Sequence, residues 1–86
     1  MLIIPFRHVE NIFELSKPEW EEMPIVLEGC KFFGEEYGAQ GYNILANCGA
    51  TAAQTIMHAH IHVIPRFPED KPVLVYEMKL REMQIN

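Results

Sequence analysis

The chain has 86 residues, 49% of them hydrophobic and 22% charged, with a formal net charge of −5, which suits one domain with a modest core. The acid excess carries no basic stripe, which argues against a dedicated nucleic-acid binder, and the uncharged stretch over residues 41–57 is too rich in amides and hydroxyls to span a membrane. Pro5 and Arg7 interrupt the apolar start at once, so it does not read as a secretion signal, and Cys30 and Cys48, with no Cys-x-x-Cys, are expected to be buried free thiols of a cytoplasmic protein.

Residues 1–5 form a short apolar run, predicted as a buried strand closed by proline. Arg7 and His8 follow in a turn, and His8 is read as a turn or capping residue with no catalytic role. Ser16-Lys-Pro-Glu19 then fits a capping box, with Ser16 as the cap, Pro18 in the first turn and Glu19 reaching back. Trp20, Met23, Leu27, Cys30, Phe33 and Tyr37 recur every three or four positions, so a helix burying one face against core or dimer partner is expected. Pro24 breaks the donor pattern and predicts a kink or two consecutive helices near Met23; Gly38 supplies the stop.

Residues 39–41 make a turn into a strand over 42–48, which puts Asn43 and Asn47 on one face. Residues 48–53 are small and loop-like, a composition that lets backbone amides approach a phosphate. Past Arg66, residues 67–72 are a proline-bounded connection, with a short strand over 73–76 and a terminal helix carrying Tyr76, Leu80 and Met83 expected after it.

Between these lie residues 54–66, Gln-Thr-Ile-Met-His-Ala-His-Ile-His-Val-Ile-Pro-Arg, with His58, His60 and His62 at two-residue spacing. A strand turns successive side chains to opposite faces, so the three imidazoles would share one face and Met57, Ala59, Ile61 and Val63 the other. Three uses of the imidazole face are open. Zinc holds its nitrogens at about 2.0–2.1 Å, whereas the outer two histidines stand about 13 Å apart along a strand, so a metal would need a further ligand such as His8, Cys30, Cys48, Glu69 or Asp70. Histidines merely tolerated on a half-buried face would leave ring nitrogens to satisfy, at about 1–3 kcal/mol for each left unmet. A row titrating near neutral pH can instead offer one phosphate a nucleophile, a proton donor and an orienting group.

The run His58-Ala-His60-Ile-His62-Val-Ile64 resembles the His-x-His-x-His motif of the histidine triad (HIT) family of nucleotide hydrolases and transferases. Asn47-Cys-Gly49, Gln54-Thr55, Ile64-Pro65-Arg66 and the opening Leu2-Ile-Ile-Pro5-Phe-Arg7-His8-Val-Glu-Asn11 are similar to the same family's flanks, so the likeness covers residues 1–70. It implies an α+β domain over 1–86, an antiparallel sheet with one long kinked helix, truncated at the N-terminus relative to the family and lacking additional strands, much of the purine and ribose pocket, and a further histidine. The open sheet edge then predicts a homodimer.

By the same resemblance, His60 is the nucleophile, forming a nucleotidyl-histidine at the α-phosphate of a purine nucleotide substrate. The substrate would be a nucleoside phosphoramidate, acyl-nucleotide or dinucleoside polyphosphate. His62 donates a proton, His58 orients the row, and Asn47, Gln54 and Thr55 hold phosphate oxygens; the scheme uses no metal and no cofactor. Where the family has glycine before the glutamine, this chain has Ala53, a departure expected to tighten or misplace the loop unless its φ stays negative, in which case alanine is small enough to be tolerated. The other reading is a binding or dimerisation module that keeps the histidine row without turnover.

Overall fold

The computed structural model describes residues 1–70. The described elements are β1 (Leu2–Ile3), α1 (Lys17–Glu36), β2 (Gly41–Leu45) and β3 (Ile61–Arg66), with 3-10 turns at Ile12–Glu14 and Ala50–Ala52. The strands form one antiparallel sheet in the order β1-β3-β2. This α+β arrangement, with one long helix beside an antiparallel sheet, is the fold class the sequence predicts.

β3 is the middle strand, and His62 pairs with Leu2 on one side and Leu45 on the other. The ladder to β1 extends one step further, because Met1 and Val63 exchange two bonds of 2.8 Å, one from the Met1 ammonium and one from the Val63 N–H. Beyond Val63 that side of β3 has no partner from β1, and Pro65, which has no N–H to offer, occupies this open stretch opposite Tyr42 of β2.

Strand bounds differ from the sequence reading where pairing partners run out. β1 stops at Ile3 rather than Pro5, β2 spans Gly41–Leu45 rather than 42–48, and β3 begins only at Ile61. His58 and His60 therefore precede the strand instead of lying within it. Their backbone is held another way, by the Ala59 N–H bonded to Val9 O at 2.8 Å.

The helix starts as its sequence dictates. Ser16 Oγ accepts from Glu19 N and Glu19 reaches back to Ser16 N, with a proline in the first turn. At the other end Gly38 has φ 87, its N–H bonds Glu35 O, and Ala39 N bonds Gly34 O, a pair of bonds that satisfies two terminal carbonyls. Of the two outcomes expected at Pro24, separate helices do not form: α1 is continuous from Lys17 to Glu36 with Pro24 inside it. Pro24 and Trp20, whose carbonyl loses its usual donor, are both exposed, so water can satisfy that carbonyl.

The buried core is small: Val9, Ala59, Ile61 and Val63, with Gly34 under the ring of Tyr42 tying α1 to β2. Tyr42 Oη donates to Lys31 O at 2.8 Å. Much of the helix's apolar surface is uncovered, with Ile25 75% and Phe32 68% exposed. The strand and helix expected over 73–86 lie outside the described residues.

Candidate active site

Burial alternates through the histidine segment even though only its second half is a strand. Ala59, Ile61 and Val63 are buried, while His58, His60 and His62 between them are half-buried. The apolar residues anchor the segment in the core and turn the imidazoles the other way. Met57, assigned to the same apolar side, is exposed.

The ring contacts fix protons by elimination. A carbonyl oxygen can only accept, so His60 Nδ1, 2.8 Å from His58 O, carries a hydrogen, and the neutral His60 ring has its lone pair on Nε2. His58 Nε2, 3.1 Å from Pro5 O, is a donor by the same argument. His60 and His62 stand edge to face with ring centroids 5.1 Å apart. Two of the row are thus in contact as rings, and the third is joined to His60 through its backbone carbonyl.

The sequence reading missed a fourth member. His8 Nδ1 lies 3.2 Å from His58 Nδ1, and the two rings are nearly perpendicular with centroids 4.9 Å apart. The signal was available in topology: continuing the antiparallel β1 register past Ile3 carries residues 6–8 alongside His58. Of the further ligands that a zinc reading requires, His8 lies against this row. Among the described residues no three His, Cys, Asp or Glu side chains converge in a manner that could hold a metal ion.

The loop before the row closes on itself. Gly49, with φ 90, starts a 3-10 turn over Ala50–Ala52, and the turn ends on Ala53 in the left-handed region, φ 62 and ψ 33. The condition of a negative φ at Ala53 is therefore not met: the loop returns toward Gly49, and closing it takes the left-handed bend a glycine makes without strain. Gln54 N donates to Gly49 O at 3.0 Å and Gly49 N to Gln54 Oε1 at 2.8 Å.

Gln54 is only 4% exposed, and its amide nitrogen donates to Glu10 O and to Ile56 O. Both ends of the amide are thus occupied by backbone. Asn47 is half-buried at the head of the loop and Thr55 exposed at its end.

Beside the row, a cavity of about 540 Å³ runs between the Leu2 to Arg7 segment and the first half of α1, reaching His60. Its walls are chiefly apolar, with Ile4, Ile12, Met23 and Val26 among them and Glu19, Glu22 and Arg7 at the polar end. Such a cleft has the size and lining of a small-molecule site. Glu19 is held in its charged form, its carboxyl drawn down to about 2, first by the Arg7 hydrogen bond and then by the Ser16 backbone N–H.

Comparison with known proteins identifies the family of the chain. The model of one family, described as the HIT domain, matches residues 1–69. The adenosine 5'-monophosphoramidase of Schizosaccharomyces pombe is 36% identical over 70 residues, covering 80% of this chain and 50% of that protein. The bis(5'-adenosyl)-triphosphatase of Saccharomyces cerevisiae is 33% identical over 69 residues, covering 78% and 34% respectively. A solved structure described as a histidine triad nucleotide-binding protein from Sulfolobus tokodaii superposes with a TM-score of 0.67 at 33% identity, over 83% of this chain and 48% of that one. The chain spans about half the length of the curated relatives it matches.

Proposed function

This chain belongs to the HIT domain family, and on that footing we propose that it is a nucleotide hydrolase or transferase acting at the α-phosphate of a purine nucleotide. The observation that carries this reading is the His60 Nδ1–H bond to His58 O at 2.8 Å, which commits one ring nitrogen and leaves the other as a nucleophile needing no prior deprotonation. Relatives that act on an adenosine phosphoramidate and on a bis-adenosyl triphosphate support the substrate class.

In the proposed step His60 Nε2 bonds to the α-phosphorus as the phosphorus bond to the leaving group breaks, and His62 supplies the proton that the leaving group takes. The nucleotidyl-imidazolium so formed keeps its Nδ1–H on the His58 carbonyl, whose partial negative charge favours the cationic ring. Water then attacks phosphorus and passes a proton to His62, restoring it, as the bond to His60 breaks and a nucleoside monophosphate leaves. Asn47, Thr55 and the amides of the 48–53 loop hold the phosphate oxygens, with Gln54 contributing by keeping that loop closed.

The chain acts as a homodimer in this proposal. The uncovered Ile25 and Phe32 of α1 and the outer strand edges give apolar and backbone surface for a second copy. No described helix is long and apolar enough to cross a membrane. The free thiols of Cys30 and Cys48 suit the reducing cytoplasm.

The test is incubation with adenosine 5'-phosphoramidate, comparing the chain with His60→Ala. Release of AMP by the first and a loss of roughly a thousandfold or more in the second are expected. A folded chain no faster than His60→Ala sinks the enzymatic reading, and nucleotide binding without turnover then identifies a binding module.

A further inference from the structure

We propose that the outer edge of β1 is a docking surface for an extended segment of a partner protein, one that alternates apolar side chains and carries a basic residue. Met1 and Val63 exchange both their backbone bonds, and Pro5 O turns inward to His58 Nε2. Backbone direction alternates along a strand, so the N–H and C=O groups of Leu2 and Ile4 face away from β3. β1 ends the sheet on this side, and among the described residues nothing pairs with that edge.

The side chains narrow what can dock. Leu2, Ile4 and Phe6 are exposed, Phe6 fully, and alternate with half-buried Ile3 and Pro5. Residues 1–6 carry no charged side chain, so the edge lacks the lysine or glutamate that ordinarily wards off a pairing strand. Alongside it runs the apolar cavity walled by Ile12, Met23 and Val26. A strand laid on the edge sets every second side chain over that cavity and the others beside Leu2 and Ile4.

Charge decides whose strand it is. At the polar end of the cavity Arg7 is engaged by Glu19 and by Glu14 O, whereas Glu22 joins no ion pair among the described residues. One uncompensated carboxylate therefore faces the incoming segment and fits a lysine or arginine. Neither edge strand of a second copy supplies one, since β1 and β2 hold no basic residue. A second copy is left with α1 and the longer outer edge of β2. Docking on β1 requires none of the chemistry proposed for His60.

The probe is the peptide acetyl-Lys-Thr-Ile-Thr-Ile-Thr-Lys-amide, added to the full chain while amide hydrogen exchange is followed residue by residue. In the chain alone, fast exchange is expected at the Leu2 and Ile4 amides and protection at Ile3 and Val63. At ten times its dissociation constant the peptide slows Leu2 and Ile4 about tenfold. Two peptides methylated on alternate backbone nitrogens, one in each phase, behave oppositely, because only one phase removes the donors that face β1. Glu22→Gln weakens binding by up to about fivefold at low salt. No slowing at Leu2 and Ile4, equal binding of both methylated peptides, or unchanged affinity in Glu22→Gln overturns the proposal. So does protection of the two amides before any peptide is added: a rise with chain concentration identifies a second copy as the occupant, and independence of concentration identifies this chain's own residues 71–86.

Discussion

Arg7 and Glu19 meet at 2.8 Å across the turn that joins β1 to α1. The same Glu19 oxygen accepts the Ser16 N–H that opens the helix, and Arg7 also donates to Glu14 O. One carboxylate thus fastens the exit of the strand to the start of the helix. Its carboxyl is held at about 2, against an ordinary 4.5. A depressed carboxyl contributes stability that is full above the unfolded value and lost as pH falls through the folded one. Thermal melts of the chain are therefore expected to weaken between pH 4.5 and 2. Glu19→Gln lowers the melting temperature at pH 7 and flattens its slope across that window; an unchanged slope in the variant would refute the assignment.

Gly34 has no room for a side chain. A Cβ placed on it overlaps the hydroxyl and ring edge of Tyr42, whose hydroxyl is itself held by Lys31 O. Gly34→Ala is expected to destabilise by about 1–3 kcal/mol through overpacking. Tyr42→Phe alone costs about 1 kcal/mol for the lost hydrogen bond. Combined, the two should lose less than their sum, because removing the hydroxyl clears the nearest obstruction. Urea unfolding of all three variants measures this, and strict additivity would mean that the hydroxyl is not the obstacle.

Ala53 carries a left-handed backbone, φ 62, that a β-carbon disfavours by about 1–2 kcal/mol. Ala53→Gly removes this strain and returns part of the gain as unfolded-chain entropy, so a net stabilisation of up to about 1 kcal/mol is expected. Denaturant midpoints give the value. A loss of stability in the glycine variant would show that the methyl group contributes packing that outweighs the strain.

What the sequence made legible was mostly local or periodic. The Ser16–Glu19 capping box involves groups three residues apart, and the alternation of His58, His60 and His62 with Ala59, Ile61 and Val63 is a short-range pattern; both kinds of signal survive into the structure. The failures lie where a distant segment decides. β3 begins at Ile61 because β1 and β2 supply no partner earlier, and His8 joins the row because the chain crosses it there from fifty positions away. The sign of φ at Ala53 follows from a loop closing on Gly49, which composition alone did not disclose. Pro24 shows the reverse: a strong local breaker that the helix overrides.

Gln54 and Thr55 are neighbours with opposite surroundings, and substituting each should separate loop architecture from phosphate contact. Replacing Gln54 by methionine keeps the side-chain length but strands the Gly49 N–H and the Glu10 and Ile56 carbonyls that the amide now serves. With the site this buried, a loss of about 2–4 kcal/mol is expected, together with a rise in KM as the loop opens. Thr55 is exposed, so Thr55→Val leaves the melting temperature within a degree or two, about the scale of a surface change, and acts on nucleotide turnover alone. Calorimetric melts and steady-state rates on adenosine 5'-phosphoramidate read the two effects separately. Were Thr55→Val kinetically silent in an active chain, the phosphate would have to be held by loop amides without that hydroxyl. Were Gln54→Met as stable as the parent, the amide's three backbone bonds would not be what keeps the loop closed.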